Sequence, residues 1–129
     1  MNVTQDIDTL KMDRELRNYL SNFKFDLFGI NDDCNGVIML HPDYEERLEK
    51  LVIDYDFKFL DIFILGDYDL IITKIGRGRS RDFEDVAQSG ILESINKNKL
   101  DKLMRETISF QIGQGRIQSQ WEAFKNQYF

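Results

Sequence analysis

The spacing of apolar positions changes character partway along this chain. From Phe59 to Leu65 every residue is β-branched, aromatic or Leu except Asp61, and Gly66 closes the run, which is the pattern of a buried sheet strand. After it the apolar residues recur at helical spacing. Leu70, Ile71 and Ile75 face inward on a helix capped by Asp67 or Asp69 and ended by Gly76 and Gly78. Phe83, Val86 and Ala87 do the same on a second helix that opens with Ser80 as its cap. Two more amphipathic patterns, Leu100-Leu103-Met104-Thr107 and Ile117-Trp121-Phe124-Tyr128, predict C-terminal helices that cap the sheet.

The first half alternates between strand and helix patterns. Val3, Thr4, Ile7 and Leu10 predict a short strand, and Leu16, Tyr19, Leu20 and Phe23 a helix opening at Asp13. Phe25 to Ile30 and Val37 to Leu40 read as strands on either side of a turn-forming stretch, residues 31–36, and His41-Pro42-Asp43 reads as a turn. Tyr44 to Asp54 fits either helix or strand. The strand that follows decides for a hairpin running from about Arg47, through Asp54-Tyr55-Asp56, into Phe57 to Leu65. The sum is an α+β protein, a small mixed sheet followed by C-terminal helices.

Composition narrows the chemistry. The 129 residues contain one cysteine and one histidine, which excludes an internal disulfide, a Cys/His zinc cluster and a multi-histidine metal site. A metal here would need carboxylates, which favours a hard ion such as magnesium or manganese. No apolar run is long enough to span a bilayer and residues 1–8 do not read as a signal peptide, so a cytoplasmic protein is expected. His41, alone beside a proline, is given no role.

Against a net charge of −6, Lys74, Arg77, Arg79 and Arg81 crowd one helix end and one glycine-containing loop with no acid between them, which suits phosphate. The acidic total argues against broad non-specific nucleic-acid binding. Asp82 and Asp85, three apart, share one side of the following helix, where acids also complement the helix dipole. Asp6 and Asp8, two apart on a strand, project together and could share a cation, although an isolated Asp-x-Asp is more often a solvated pair. Asp61 in its apolar run needs a cation, a metal or donors to offset desolvation.

In this order these residues resemble the minimal nucleotidyltransferase-like proteins, the group containing DUF6036 and the AbiEii-type toxins. Thr4-x-Asp6-Ile7-Asp8 is similar to the family's Asp-x-Asp strand, Leu60-Asp61-Ile62 to its third carboxylate, and Asp67 to Lys74 with Arg81-Asp82-Phe83-Glu84-Asp85-Val86 to its lysine-to-Arg-Asp-x-x-Asp stretch. Residues 42–48 are similar to its middle region. The resemblance implies a nucleotidyltransferase-like core over residues 1–90 and a helical extension, 91–129, packed on the same domain. It implies Asp6, Asp8 and Asp61 as ligands of magnesium or manganese, Lys74 as a contact to nucleotide phosphates, Asp82 and Asp85 as groups that orient that lysine or assist proton transfer, and Arg77, Arg79 and Arg81 as phosphate binders. The implied reaction moves a nucleotide from a nucleoside triphosphate to an RNA or protein acceptor, as in the toxin of a toxin–antitoxin pair with a cognate antitoxin protein as partner.

The family's Gly-Gly or Gly-Ser turn ahead of the Asp-x-Asp strand has no counterpart here, where five residues precede Asp6. A shortened core predicts an uncovered sheet edge and a homo-oligomer, with Trp121, Phe124 and Tyr128 as the surface that another chain contributes. It also leaves a second reading beside the enzyme, a non-catalytic relic of the fold that binds a protein or itself.

Overall fold

The computed structural model describes residues 6–8, 14–15, 18, 29–31, 39–52 and 61–129, and the chain divides into two compact units, Met1–Ile38 and Met39–Phe129. In the first unit, β1 (Asp6–Asp8) pairs in parallel with β2 (Gly29–Asn31), with Ile7 opposite Ile30. Parallel neighbours cannot be joined by a tight turn. Arg14, Glu15 and Asn18, in the connection, are helical. The rest of the expected helix, including Leu16, Tyr19, Leu20 and Phe23, and the 32–36 turn lie outside the described residues.

The second unit opens with Met39 and Leu40, which form no strand, and a turn at Pro42-Asp43. A short 3₁₀ turn, Tyr44–Arg47, follows and leads into β3 (Glu49–Lys50), antiparallel to β4 (Phe63–Ile64). The helical pattern of residues 44–47 and the strand pattern after it are thus both used, in succession. This is the expected antiparallel hairpin, of which residues 53–60, Phe59 and Leu60 among them, lie outside the described residues, and what it corrects is the expected burial of the run that ends at Leu65. Only Phe63 and Ile64 are in the described strand, and Ile62, Phe63 and Ile64 are 36%, 54% and 45% exposed. Among the described residues the ladder has two residue pairs, too few for the inward-facing row that an apolar run would otherwise supply.

Four helices make the bulk of the unit: α1 (Asp67–Arg77), α2 (Ser80–Gln88), α3 (Lys97–Ser109) and α4 (Gln114–Tyr128). Helix α1 starts after Gly66, and its Asp67 and Asp69 make no cap bond, contrary to expectation. The reason for the glycine is a close approach, since a Cβ at residue 66 would stand 2.7 Å from the backbone oxygen of Arg47. At the other end Gly78 takes the left-handed conformation, φ 71°, that stops α1 and lets α2 start two residues later. Ser80 is the first residue of α2, not its side-chain cap.

The core of this unit lies between helices. Ile71, Ile72 and Ile75 of α1, Val86 of α2, Leu100, Leu103, Met104 and Ile108 of α3, and Ile117, Trp121 and Phe124 of α4 pack together with Met39. Ile72 is wholly buried where Leu70 was expected, because residues three and four apart, 71, 72 and 75, make the continuous stripe while Leu70 stays 39% exposed. Trp121 and Phe124, expected as a surface for another chain, are fully buried and stacked at 5.8 Å between ring centroids. They cannot fill an edge elsewhere while they hold α4 to its own core. No helix among the described residues is long and apolar enough to cross a membrane. The helices on either side of residue 90 belong to one unit, in an α+β chain.

Candidate functional site

The two-residue connection Gly78-Arg79 folds α2 back beside α1, so the last turn of one helix meets the first turns of the next. Lys74 and Arg77 are three apart on α1, and Asp82 and Asp85 are three apart on α2, which places each pair on one side of its helix. Lys74 Nζ stands 4.0 Å from Asp82 Oδ1 and 3.8 Å from Asp85 Oδ2, and Arg77 Nε 3.4 Å from Asp82 Oδ2. The structure thus brings together four of the residues singled out from the sequence. Arg79 and Arg81 sit at the same turn, exposed.

The lengths of these contacts matter. An N–H···O bond closes to about 2.7–3.2 Å, and the Lys74 contacts are longer. Lys74 makes no hydrogen bond among the described residues, so the two carboxylates hold its ammonium by charge without engaging its three N–H donors. Its side chain is 29% exposed, and that of Asp82 only 6%. Arg47 and Asp69 show what an ion pair built only to staple elements looks like in the same unit. Arg47 Nε donates to Asp69 Oδ2 at 2.7 Å and its Nη2 to Oδ1 at 2.9 Å, with the Asp69 side chain wholly buried. That hydrogen-bonded fork raises the Arg47 pKa above its ordinary value, against the opposing effect of its own burial.

Other polar pairs tie the unit together and were not visible in the sequence. The indole N–H of Trp121 and the ammonium of Lys125 donate to Asp101 Oδ1 at 2.8 and 3.1 Å, joining α4 to α3. Burial alone would push the Asp101 carboxyl up, but these two donors and the neighbouring Arg105 hold it below its ordinary value. His41 is buried, accepts the Asp43 backbone N–H on Nδ1 at 3.0 Å and meets Glu106 Oε2 through Nε2 at 2.8 Å. With Nδ1 accepting, the proton belongs on Nε2, facing the carboxylate. The two residues are 65 apart in the chain, and no local signal links them.

The expected metal ligands are distributed differently. Asp6 and Asp8 are the two ends of β1, in the first unit. Asp61 is not the buried strand acid that its neighbours suggested. Its side chain is 64% exposed beside the hairpin and pairs with Lys50 Nζ at 3.0 Å, so the cation that its apolar surroundings called for is an exposed lysine. Among the described residues no three His, Cys, Asp or Glu side chains stand close enough together to hold a metal ion.

The family model described as a nucleotidyltransferase of unknown function, DUF6036, matches residues 1–129. No curated protein and no solved structure matches the chain.

Proposed function

Because the chain belongs to the DUF6036 family of nucleotidyltransferases of unknown function, we propose that it binds a nucleoside triphosphate at the α1–α2 turn and transfers its nucleotide to an RNA or protein acceptor. The observation that carries this reading is the lysine held between two carboxylates without a hydrogen bond to either. An ammonium oriented in that way, one-third exposed and with free donors, can meet phosphate oxygens at little reorganisation cost. Lys74 contacts the phosphates, with Arg77, Arg79 and Arg81 adding positive charge around the turn. Asp82 and Asp85 position the lysine, and the more exposed Asp85 is the better placed of the two to accept a proton from an attacking hydroxyl. As the charge on the leaving phosphates grows, Lys74 moves from its carboxylates toward them, and the interaction strengthens where the transition state needs it.

The family's magnesium or manganese would draw on Asp6, Asp8 and Asp61, and Asp61 would first have to give up Lys50. That pairing favours a second reading, in which the chain serves as a non-catalytic module for a protein partner or for its own copies. A role as a toxin with a cognate antitoxin belongs to the first reading. Incubation of the full chain with each α-labelled nucleoside triphosphate, magnesium, RNA and protein acceptors separates the two. Covalent label on an acceptor, lost in Asp82→Asn, is expected. Absence of label with all four triphosphates under conditions where the protein is folded would favour the non-catalytic module.

A further inference from the structure

Two buried side-chain acceptors lie at the α1–α2 turn, one from α2 and one brought to it by α4. Among the described residues, Asp82 Oδ2 and Gln120 Oε1 are buried side-chain oxygens with no hydrogen-bond partner. Asp82 as a whole is 4% exposed, and the nearest cation to its Oδ2, Arg77 Nε at 3.4 Å, makes no hydrogen bond with it. Gln120 comes from α4, the C-terminal helix, and lies against the same turn. A Cβ on Gly78 would stand 2.3 Å from its Nε2. The side chain of Gln120 therefore packs on residue 78, and that of Asp82 against residue 77.

A buried acceptor left unpaired destabilises a fold, so each such atom calls for an explanation. Both atoms are acceptors, and what completes them is a donor. A phosphate, rich in acceptor oxygens, suits the lysine and arginines but not these two. The donors that a nucleotide carries are the hydroxyls of its sugar and the amino or ring N–H groups of its base. We propose that Gln120 is a specificity-determining residue of the nucleotide site, its Oε1 accepting, together with Asp82 Oδ2, hydrogen bonds from a hydroxyl or N–H of the nucleoside whose phosphates Lys74 binds. This rests on the nucleotide reading given above and adds a role for the C-terminal helix, which lies beyond the lysine-to-Asp-x-x-Asp stretch. A site that pairs a donor in this way rejects analogues lacking it, because the buried acceptors are then left unpaired again.

The test is calorimetric titration of the full chain with ATP, GTP, CTP and UTP, repeated on Gln120→Met and Gln120→Glu, with melting temperatures measured without nucleotide. Gln120→Met is expected to melt at the same temperature or a few degrees higher, because it removes an unpaired buried oxygen, and to bind the preferred triphosphate roughly tenfold more weakly. Gln120→Glu keeps an acceptor and is expected to hold its affinity within about threefold. On the wild type, the 2′-deoxy analogue distinguishes a sugar hydroxyl from a base N–H: one of that analogue and the amino-lacking base analogue loses affinity, and it loses no more on Gln120→Met. Equal affinity of Gln120→Met and wild type overturns the inference while leaving the nucleotide reading intact. So does a drop of several degrees, or failure to fold, in Gln120→Met, which would make the residue structural. Wild type that binds none of the four triphosphates overturns both.

Discussion

Three acids in the second unit, Asp69 and Asp82 buried and Asp101 half-buried, keep different company, and the difference decides what each does. Asp69 has both oxygens filled by the Arg47 fork. Removing one partner of such a pair strands the other, so Asp69→Ala is expected to cost about 3–5 kcal/mol in urea unfolding, and an Arg47→Met, Asp69→Leu double substitution to recover much of it. Asp82, with longer ion-pair contacts and an oxygen that has no hydrogen bond among the described residues, gives up less. Asp82→Asn is expected to stay within about 1 kcal/mol of wild type by the same measurement while abolishing transfer, the behaviour of a site group and not of a staple. Asp101 gives the acid limb of the stability curve. Its native pKa lies below the unfolded value of about 3.9. The unfolded chain therefore takes up the proton first as pH falls. The contribution is complete above the ordinary carboxylate range and is lost as pH falls through it toward the native pKa. Unfolding midpoints measured from pH 6 down to pH 3 are expected to fall less steeply for Asp101→Asn than for wild type.

At the scale of elements, the helices and the pairing of the strands were legible in the sequence, and the burial of the strand around Asp61 was not. A period of 3.6 sustained over ten or more residues survives local ambiguity, and α1, α3 and α4 lie where Ile71 and Ile75, Leu100 to Thr107, and Ile117 to Tyr128 placed them. The run around Asp61 carried no such period, and a continuous apolar stretch does not say whether anything covers it. Phe63 and Ile64, the described residues of that strand, are about half exposed. Asp67 and Asp69 look like caps in the sequence, but α1 has Gly66 at its cap position and no side-chain cap bond. What fixes that start is contact with Arg47, twenty residues earlier, which no window of sequence contains. Gly66 is the checkable part of that contact. Its backbone, φ −64°, suits any residue, so Gly66→Ala strains nothing locally and forces a Cβ to 2.7 Å from the Arg47 carbonyl. An overpacking loss of about 1–3 kcal/mol is expected, with the helical signal of α1 retained, by denaturant unfolding followed in the far ultraviolet.

For the molecule as a whole, the candidate site is legible in part for a physical reason. Lys74, Arg77, Asp82 and Asp85 lie within twelve residues of one another on two helices joined by a short turn, so local spacing brings them together. Asp6, Asp8 and Asp61 span two compact units, and spacing says nothing of their meeting. Gln120 reaches the turn from the last helix, and only the folded chain brings it there. The aromatic residues of that helix serve the same end. Trp121 and Phe124 are the wholly buried anchors that carry Gln120 to Gly78, and Phe124→Ala is expected to cost about 3–5 kcal/mol in thermal or denaturant unfolding.

The central claim is that Lys74, held by Asp82 and Asp85, is a binding group for nucleotide phosphate. Lys74→Met keeps the stem and removes the charge, so titration of this variant and the wild type with the triphosphate that the wild type binds best tests it most directly. The account predicts affinity at least tenfold weaker at low salt, with unfolding midpoints close to wild type. Unchanged affinity in a folded Lys74→Met would contradict it and leave the lysine as a surface tie between α1 and α2.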